Sequence, residues 1–273
     1  MARGLAFPEA LRWHEGRLWF SDIFAGEVRS LRPGSRSELV AEVPGQPSGL
    51  GWKPDGTLLA VDMTGRRVVA LEGGRLRLVA DLASLSRGAC NDMVVDAVGR
   101  AYVGHFGYDY VAGAPRASAS VIVVEPDATA WVAAEDVWFP NGMVLDDRGN
   151  LFVAETSAGR ITVFRVGDAG ALGDRRVFAD LDGARPDGMC LDAEGALWVA
   201  SPGTGEILRV NSDGVIKVRE ATPTLVQTVM LGGDDGTTLF AASSPTHVRQ
   251  EALDGRRACL LGRRVDVPHA GLP

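Results

Sequence analysis

A chain of 273 residues, 46% of them hydrophobic, is long enough to bury a sizeable core, and 34 glycines with 14 prolines point to many turns rather than disorder. A formal net charge of −7 and a pI near 5.2 argue against nucleic acid or an anionic membrane surface as a partner, because either demands a basic face. A small molecule, a cationic ligand or a metal suits that balance better, and the sequence carries no signal for an oligomeric state.

The N-terminal segment, Met1 to Glu9, lacks an uninterrupted apolar core and a cleavage-site pattern, and no run of 18 apolar residues follows. The expected address is the cytoplasm. Cys90, Cys190 and Cys259 are odd in number and have no metal-ligand spacing, so they read as buried thiols in a reducing compartment.

The first hairpin runs from Pro8 to Trp13, turns at His14 to Arg17 and returns over Leu18 to Asp22, with alternating apolar residues on both sides of a glycine-containing turn. Gly26 to Leu31 and Glu38 to Val43 add two more strands. The same grammar then recurs. The second hairpin is Pro47 to Trp52 with Leu58 to Asp62, and the third Cys90 to Val95 with Ala101 to His105. The fourth is Phe139 to Leu145 with Leu151 to Glu155, and the fifth Pro186 to Leu191 with Ala196 to Ser201. A weaker sixth joins Gln227 to Leu231 with Thr238 to Ser243. Later strand pairs, such as Arg160 to Phe164 with Arg175 to Phe178, fill out each unit. Helical periodicity is absent apart from one turn allowed over Asp81 to Ser86. Six four-stranded units spaced about 45 residues apart predict an all-β six-bladed propeller forming one domain over residues 1–273.

The first strand of each blade lies nearest the axis of a propeller, so equivalent positions at its start ring the channel mouth. Here that ring reads Glu9, Ser48, Asn91, Asn141, Asp187 and Thr228, all polar and each ahead of a mostly apolar strand. The ends of the second strands, Asp22, Asp62, His105, Glu155, Ser201 and Ser243, are expected at the same mouth. Two carboxylates and an amide on one axis suit a hard divalent cation, although a polar mouth filled by water fits the spacing too. Asn141-Gly142 and Asp187-Gly188 are also hairpin-turn dipeptides. Against a turn role, Asp147 to Gly149 and Asp192 to Gly195 already supply the turns a few residues later.

Ser48 lacks the Gly-x-Ser-x-Gly elbow of a serine nucleophile and reads as a channel hydroxyl facing substrate. His105 could touch substrate or move a proton. Gly104 to Tyr110, continuing to Ser120, reads as a lid whose aromatic residues, Tyr108 among them, favour a less polar ligand.

Phe7-Pro8-Glu9 with Trp13 to Asp22, Cys90-Asn91-Asp92-Met93, Pro140-Asn141-Gly142-Met143 and Pro186-Asp187-Gly188-Met189 resemble, in order, the motifs of the SMP-30/gluconolactonase/LRE-like family. The resemblance implies a six-bladed propeller with one divalent metal at the channel mouth, held by Glu9, Asn141 and Asp187. It implies Asn91 as a contact to substrate or to a metal-bound water, and Asp187 as general base. Calcium is the first expectation for the metal, with magnesium, manganese or zinc as alternatives. The chain departs from the sugar-lactonase pattern at Ala89, where those members carry arginine, and at Ala10, where glycine is common. The expected function is a metal-dependent hydrolase of small lactones or related esters. The alternatives are a non-hydrolytic isomerase or cyclase in a biosynthetic pathway, and a non-catalytic propeller that binds a metabolite or calcium.

Overall fold

The hairpin turns are set by aspartates whose side chains bridge the turn. Asp96 Oδ1 accepts the N–H groups of Val98 and Arg100, Asp146 Oδ1 those of Arg148 and Asn150, and Asp192 Oδ1 those of Glu194 and Ala196. A carboxylate that mimics a backbone carbonyl in this way fixes the turn, and with it the register of the two flanking strands.

In the computed structural model, which describes residues 1–271, these hairpins assemble into six four-stranded antiparallel sheets. β1 (Arg3–Leu5) precedes the first blade. Blade one is β2 (Pro8–His14), β3 (Arg17–Asp22), β4 (Glu27–Leu31) and β5 (Glu38–Glu42). Blade two is β6 (Pro47–Trp52), β7 (Leu58–Asp62), β8 (Arg67–Glu72) and β9 (Arg75–Asp81), and blade three is β10 (Cys90–Val95), β11 (Ala101–His105), β12 (Ala119–Val124) and β13 (Ala130–Val137). Blade four is β14 (Pro140–Leu145), β15 (Asn150–Glu155), β16 (Arg160–Val166) and β17 (Leu172–Asp180), and blade five is β18 (Met189–Leu191), β19 (Leu197–Ser201), β20 (Glu206–Val210) and β21 (Ile216–Ala221). Blade six is β22 (Leu225–Gly232), β23 (Thr238–Ser244), β24 (Ala258–Arg264) and β1, which pairs antiparallel with β24. The N-terminal strand therefore closes the ring as the outer strand of the last blade, and the fold is an all-β six-bladed propeller.

Inner and middle strands are apolar on both faces because each sheet is covered by its neighbours. Leu11, Leu18, Phe20, Met230 and Phe240 pack between blades six and one, and Val61, Val68, Met93 and Val103 between blades two and three. Outer strands such as β9 and β21 alternate instead, since only one face is covered.

Among the described residues two helical pieces interrupt the strands, and neither was expected. A 3-10 turn spans Ile23–Ala25, and α1 (Arg249–Gly255) packs against it. Seven residues are too few for a readable 3.6-residue pattern. The single turn allowed over Asp81 to Ser86 is present after the end of β9: Leu85 N–H and Ser86 N–H both bond Leu82 O, and the turn does not continue into a helix. Cys90 and Cys190 are buried, with burial pushing both thiols up to about 12, while Cys259 is only partly covered. Among the described residues no helix is long and apolar enough to cross a membrane.

Candidate metal and substrate site at the channel mouth

The innermost strands carry an irregularity at one recurrent place. Register shifts between Glu9 and Arg12, Pro47 and Leu50, Cys90 and Met93, Pro140 and Met143, and Val226 and Thr228 fall at the polar ring positions. A bulge re-aims the side chain it carries. In blade five the departure is larger: β18 begins only at Met189, Asp187 N–H bonds Ala200 O within the blade, and Gly188 N–H crosses to Gln227 O of blade six.

The glycines after the ring residues serve close packing rather than turns. Asn141 and Gly142 lie inside β14, and a Cβ on Gly142 would sit 2.5 Å from Asp187 O. A Cβ on Gly188 would meet Thr228 Oγ1 at 2.2 Å, and one on Gly49 would meet Met93 N at 2.3 Å. Each inner strand thus presses on the backbone of the next, which brings the ring residues to one axis.

Asn91 and Asn141 are oriented by the same device. Asn91 Nδ2 donates to Pro140 O at 3.3 Å, and Asn141 Nδ2 donates to Thr156 Oγ1 at 3.3 Å, a hydroxyl that spends its own proton on Pro186 O at 2.6 Å. With the nitrogen held by an acceptor, each amide has a carbonyl oxygen that no protein donor occupies. Thr156 lies outside the repeat motif, so comparison of hairpins did not single it out.

Three carboxylates, Glu9, Asp92 and Asp187, share this small volume with one guanidinium, Arg12. Arg12 is buried and fully tied down: Nε donates to Leu50 O, Nη1 to Leu11 O, and Nη2 to both Asp92 Oδ1 and Met93 O at 2.7 Å. It links blades one, two and three beneath the ring. Burial pushes Glu9 up to about 8, reinforced by Asp92, against the pull of the Ala10 N–H and of Arg12. Burial also raises Asp187 well above the ordinary carboxylate range, reinforced by Glu9 and Asp92, with the Asn141 amide pulling the other way. Asp92 is raised by burial too, and Arg12 holds it back.

Asp187 Oδ1 and Thr228 Oγ1 are buried without a hydrogen-bond partner among the described residues. Three ionised carboxylates against one cation leave a surplus of two negative charges, which a buried site cannot carry unpaired. The donor set, two carboxylates, amide oxygens and hydroxyls, is that of a hard divalent cation, and the residues present fit one. No three His, Cys, Asp or Glu side chains form a metal-holding group among the described residues, as the set relies on Asn141 for its third oxygen.

The second-strand ends do not join this cup. Asp22 lies opposite Pro8, Asp62 opposite Pro47, His105 opposite Cys90 and Glu155 opposite Pro140. Cross-strand partners share a face and successive residues alternate, so these side chains leave on the face away from the ring. They hold the loops instead. Asp22 accepts the N–H groups of Ala6 and Phe7, Asp62 those of Gly65 and the Arg67 guanidinium, and Glu155 binds Trp138 N–H, Arg160 and Thr162. Ser201 Oγ takes Arg185 N–H, and Ser243 Oγ pairs with Thr224.

His105 is corrected on the same ground. Its Nε2 lies 2.9 Å from Ser120 Oγ, its Nδ1 receives Gly107 N–H at 3.1 Å, and burial, helped by Arg87, pulls the ring down to about 4. Both ring nitrogens are engaged at the root of the 106–118 loop, and neither is left for substrate. Ser48 is buried in the ring, with its carbonyl held by Ser21 Oγ at 2.6 Å. Tyr108 is half-buried among Tyr110 and Phe139 at the rim.

A propeller with an acidic, amide-flanked cup at one end of its channel defines the class, and residues 7–245 match the model of the SMP-30/Gluconolactonase/LRE-like region. The chain belongs to that family. Compared by sequence with curated proteins, it has no match. Among solved structures, it is similar to a calcium-binding protein, regucalcin, from Agrobacterium tumefaciens, at 21% identity and a TM-score of 0.82 over 98% of this chain and 93% of that one. It is also similar to a gluconolactonase from Xanthomonas campestris, at 24% identity and a TM-score of 0.78 over 98% and 87%. A luciferin-regenerating enzyme matches at 15% identity and a TM-score of 0.79 over 99% and 94%.

Proposed function

We propose that the protein is a divalent-cation-dependent hydrolase of small lactones or related esters, with calcium as the first candidate ion. The observation that carries this reading is the buried, unpartnered Asp187 Oδ1 beside Glu9, in a cup that holds three carboxyl groups against one guanidinium. Family membership and the fold shared with a calcium-binding regucalcin and a gluconolactonase support it.

Glu9, Asn141 and Asp187 would hold the ion. Bound there, it would polarise the substrate carbonyl and stabilise the oxyanion that develops as the carbonyl is attacked. Asp187, at the cup with one carboxylate oxygen unpartnered, would take the proton of the attacking water. Water adds to the acyl carbon, the ring C–O bond breaks, and the proton passes to the departing alkoxide, giving a hydroxy acid. Asn91, with its amide nitrogen tied to Pro140 O, presents its oxygen to the substrate, and the Ser48 hydroxyl lies on the adjacent blade. Arg12 keeps Asp92 in place.

The test is reconstitution. Protein stripped with chelator and reloaded with calcium, magnesium, manganese or zinc is expected to retain a cation and to release acid from a lactone panel, and Asp187→Ala to abolish that release. Failure to retain any metal, with Asp187→Ala indistinguishable from wild type, overturns the reading.

A further inference from the structure

We infer that the mouth selects lactones carrying an aryl or alkyl substituent over polyhydroxylated ones, with Phe106, Tyr108, Tyr110 and Phe139 as the selecting wall. This rests on the lactonase reading above and names its substrate class.

The wall is one connected aromatic cluster. Phe106 stacks on Phe139 with ring centroids 4.5 Å apart and planes within 12°, and Tyr110 meets both rings edge-on at 5.6 and 6.0 Å. Tyr108 joins Tyr110 and Phe139, each at 6.3 Å. Offset and edge-to-face contacts at these distances are favourable in themselves. Yet the cluster is not a sealed core: Tyr110 is 57% exposed, and Trp138 and Val111 beside it are 38% and 90% exposed.

Its position ties it to the cup. Phe139 is two residues ahead of Asn141, and Phe106 N–H bonds Ala89 O, two residues ahead of Asn91. The cluster therefore joins the segments that lead into the inner strands of blades three and four, each two residues ahead of a polar ring residue. Ala89 is apolar and packs with Phe106 and Leu85 against the same hydrophobic cluster, so this side of the mouth offers no charged group at that position.

The loop is also built to hold the rings in place. His105 pins both ends of its root through Gly107 and Ser120, and a Cβ on Gly88 would lie 2.3 Å from Tyr108 O, which shows how closely the loop seats on blade three. Phe139 adopts φ +56, a left-handed conformation costly for a bulky residue and kept only where the surroundings enforce it. Two polar side chains of the loop are spent within it, Asp109 Oδ1 on Ala112 N–H and Ser118 Oγ on Asp136, which leaves the Tyr108 and Tyr110 hydroxyls as the polar tips of an otherwise aromatic wall. A polyhydroxylated ring laid on the ring faces would lose water at several hydroxyls with only the two tyrosine tips to replace it, whereas an aryl ring would gain a stacking surface.

The experiment compares the calcium-loaded wild type with Phe139→Ala and Tyr110→Ala on γ-phenyl-γ-butyrolactone and glucono-1,5-lactone, and measures calorimetric binding of the corresponding phenyl lactam, which is not hydrolysed. The exposed Tyr110 variant guards against a fold defect in the variant at half-buried Phe139. Wild type is expected to favour the phenyl lactone by about 100-fold in kcat/KM. Both variants should lose about tenfold in lactam affinity, and the preference for the phenyl lactone over the sugar lactone should fall by about the same factor. Equal or better turnover of the sugar lactone overturns the inference and leaves the lactonase reading standing. Lactam binding that both variants weaken, without hydrolysis of any lactone, sinks the lactonase reading and leaves the aromatic subsite standing. Lactam binding that is absent, or unaffected in both variants, overturns the inference outright.

Discussion

Thr156 Oγ1 lies 3.3 Å from Asn141 Nδ2 and donates to Pro186 O at 2.6 Å, so one hydroxyl fixes the amide of blade four and the chain entering Asp187 of blade five. Two proposed ligands on different blades thereby share one support. Thr156→Val keeps the shape and removes the hydroxyl, and it frees the Asn141 amide to turn its nitrogen into the channel. Groups that orient ligands typically contribute about 10–100-fold to metal affinity. A loss in that range is expected in a calcium titration, with the thermal midpoint of the metal-free protein little changed.

The metal-free protein should lose stability as pH rises from about 4.5 to about 8. Glu9 is raised from its ordinary 4.5 to about 8, and Asp187 moves in the same direction. Across that window the folded state holds protons that the unfolded state has released, so folding is favoured below it and weakened as pH climbs through it. A bound cation replaces those protons and should flatten the dependence. Thermal melts with chelator and with excess calcium, across this pH range, test the sign. At about 2–4 °C per kcal/mol for a chain of this size, the difference should be easily measured.

His105 carries the opposite sign. Its ring is pulled from 6.5 to about 4 by burial, so the unfolded state binds the extra proton first and stability falls as pH drops from 6.5 towards 4. His105→Ala should expose the 106–118 segment to proteolysis and hydrogen exchange. It should not remove a limb near pH 6.5 from the activity profile, because the ring titrates well below that point and both its nitrogens serve the loop.

The Arg12–Asp92 pair is buried on both sides. Removing one partner strands a charge, and Asp92→Ala or Arg12→Leu is expected to destabilise the protein by about 3–5 kcal/mol in denaturant titration. Arg12→Met with Asp92→Leu together should recover much of that loss, since no unpaired charge remains.

The architecture was legible because the hairpins repeat: alternation, an aspartate-set turn and a polar residue before an apolar strand recur from Glu9 to Thr228. What the repeat did not show was pairing across strands and between blades. Asp22, Glu155 and His105 looked like channel residues by their place at strand ends, yet their partners across the ladder put them on the other face. Arg12 and Asp92, separated by 80 residues, meet only once the blades close, although a charged residue within each apolar strand was a visible signal. Thr156 gave none, since a threonine in a loop is unremarkable until Pro186 O is seen beside it. The closing β1 strand, with only three residues, was too short for a pattern of its own.

The most direct measurement is calorimetric titration of calcium into chelator-stripped protein at neutral pH, in buffers of differing ionisation enthalpy. Metal binding that displaces protons from buried carboxylates depends on the buffer. Saturation at a single site per chain with net proton release is expected, lost in Asp187→Ala and weakened in Asn141→Ala. No binding, or binding without proton release that survives both substitutions, would contradict a cation held by Glu9, Asn141 and Asp187.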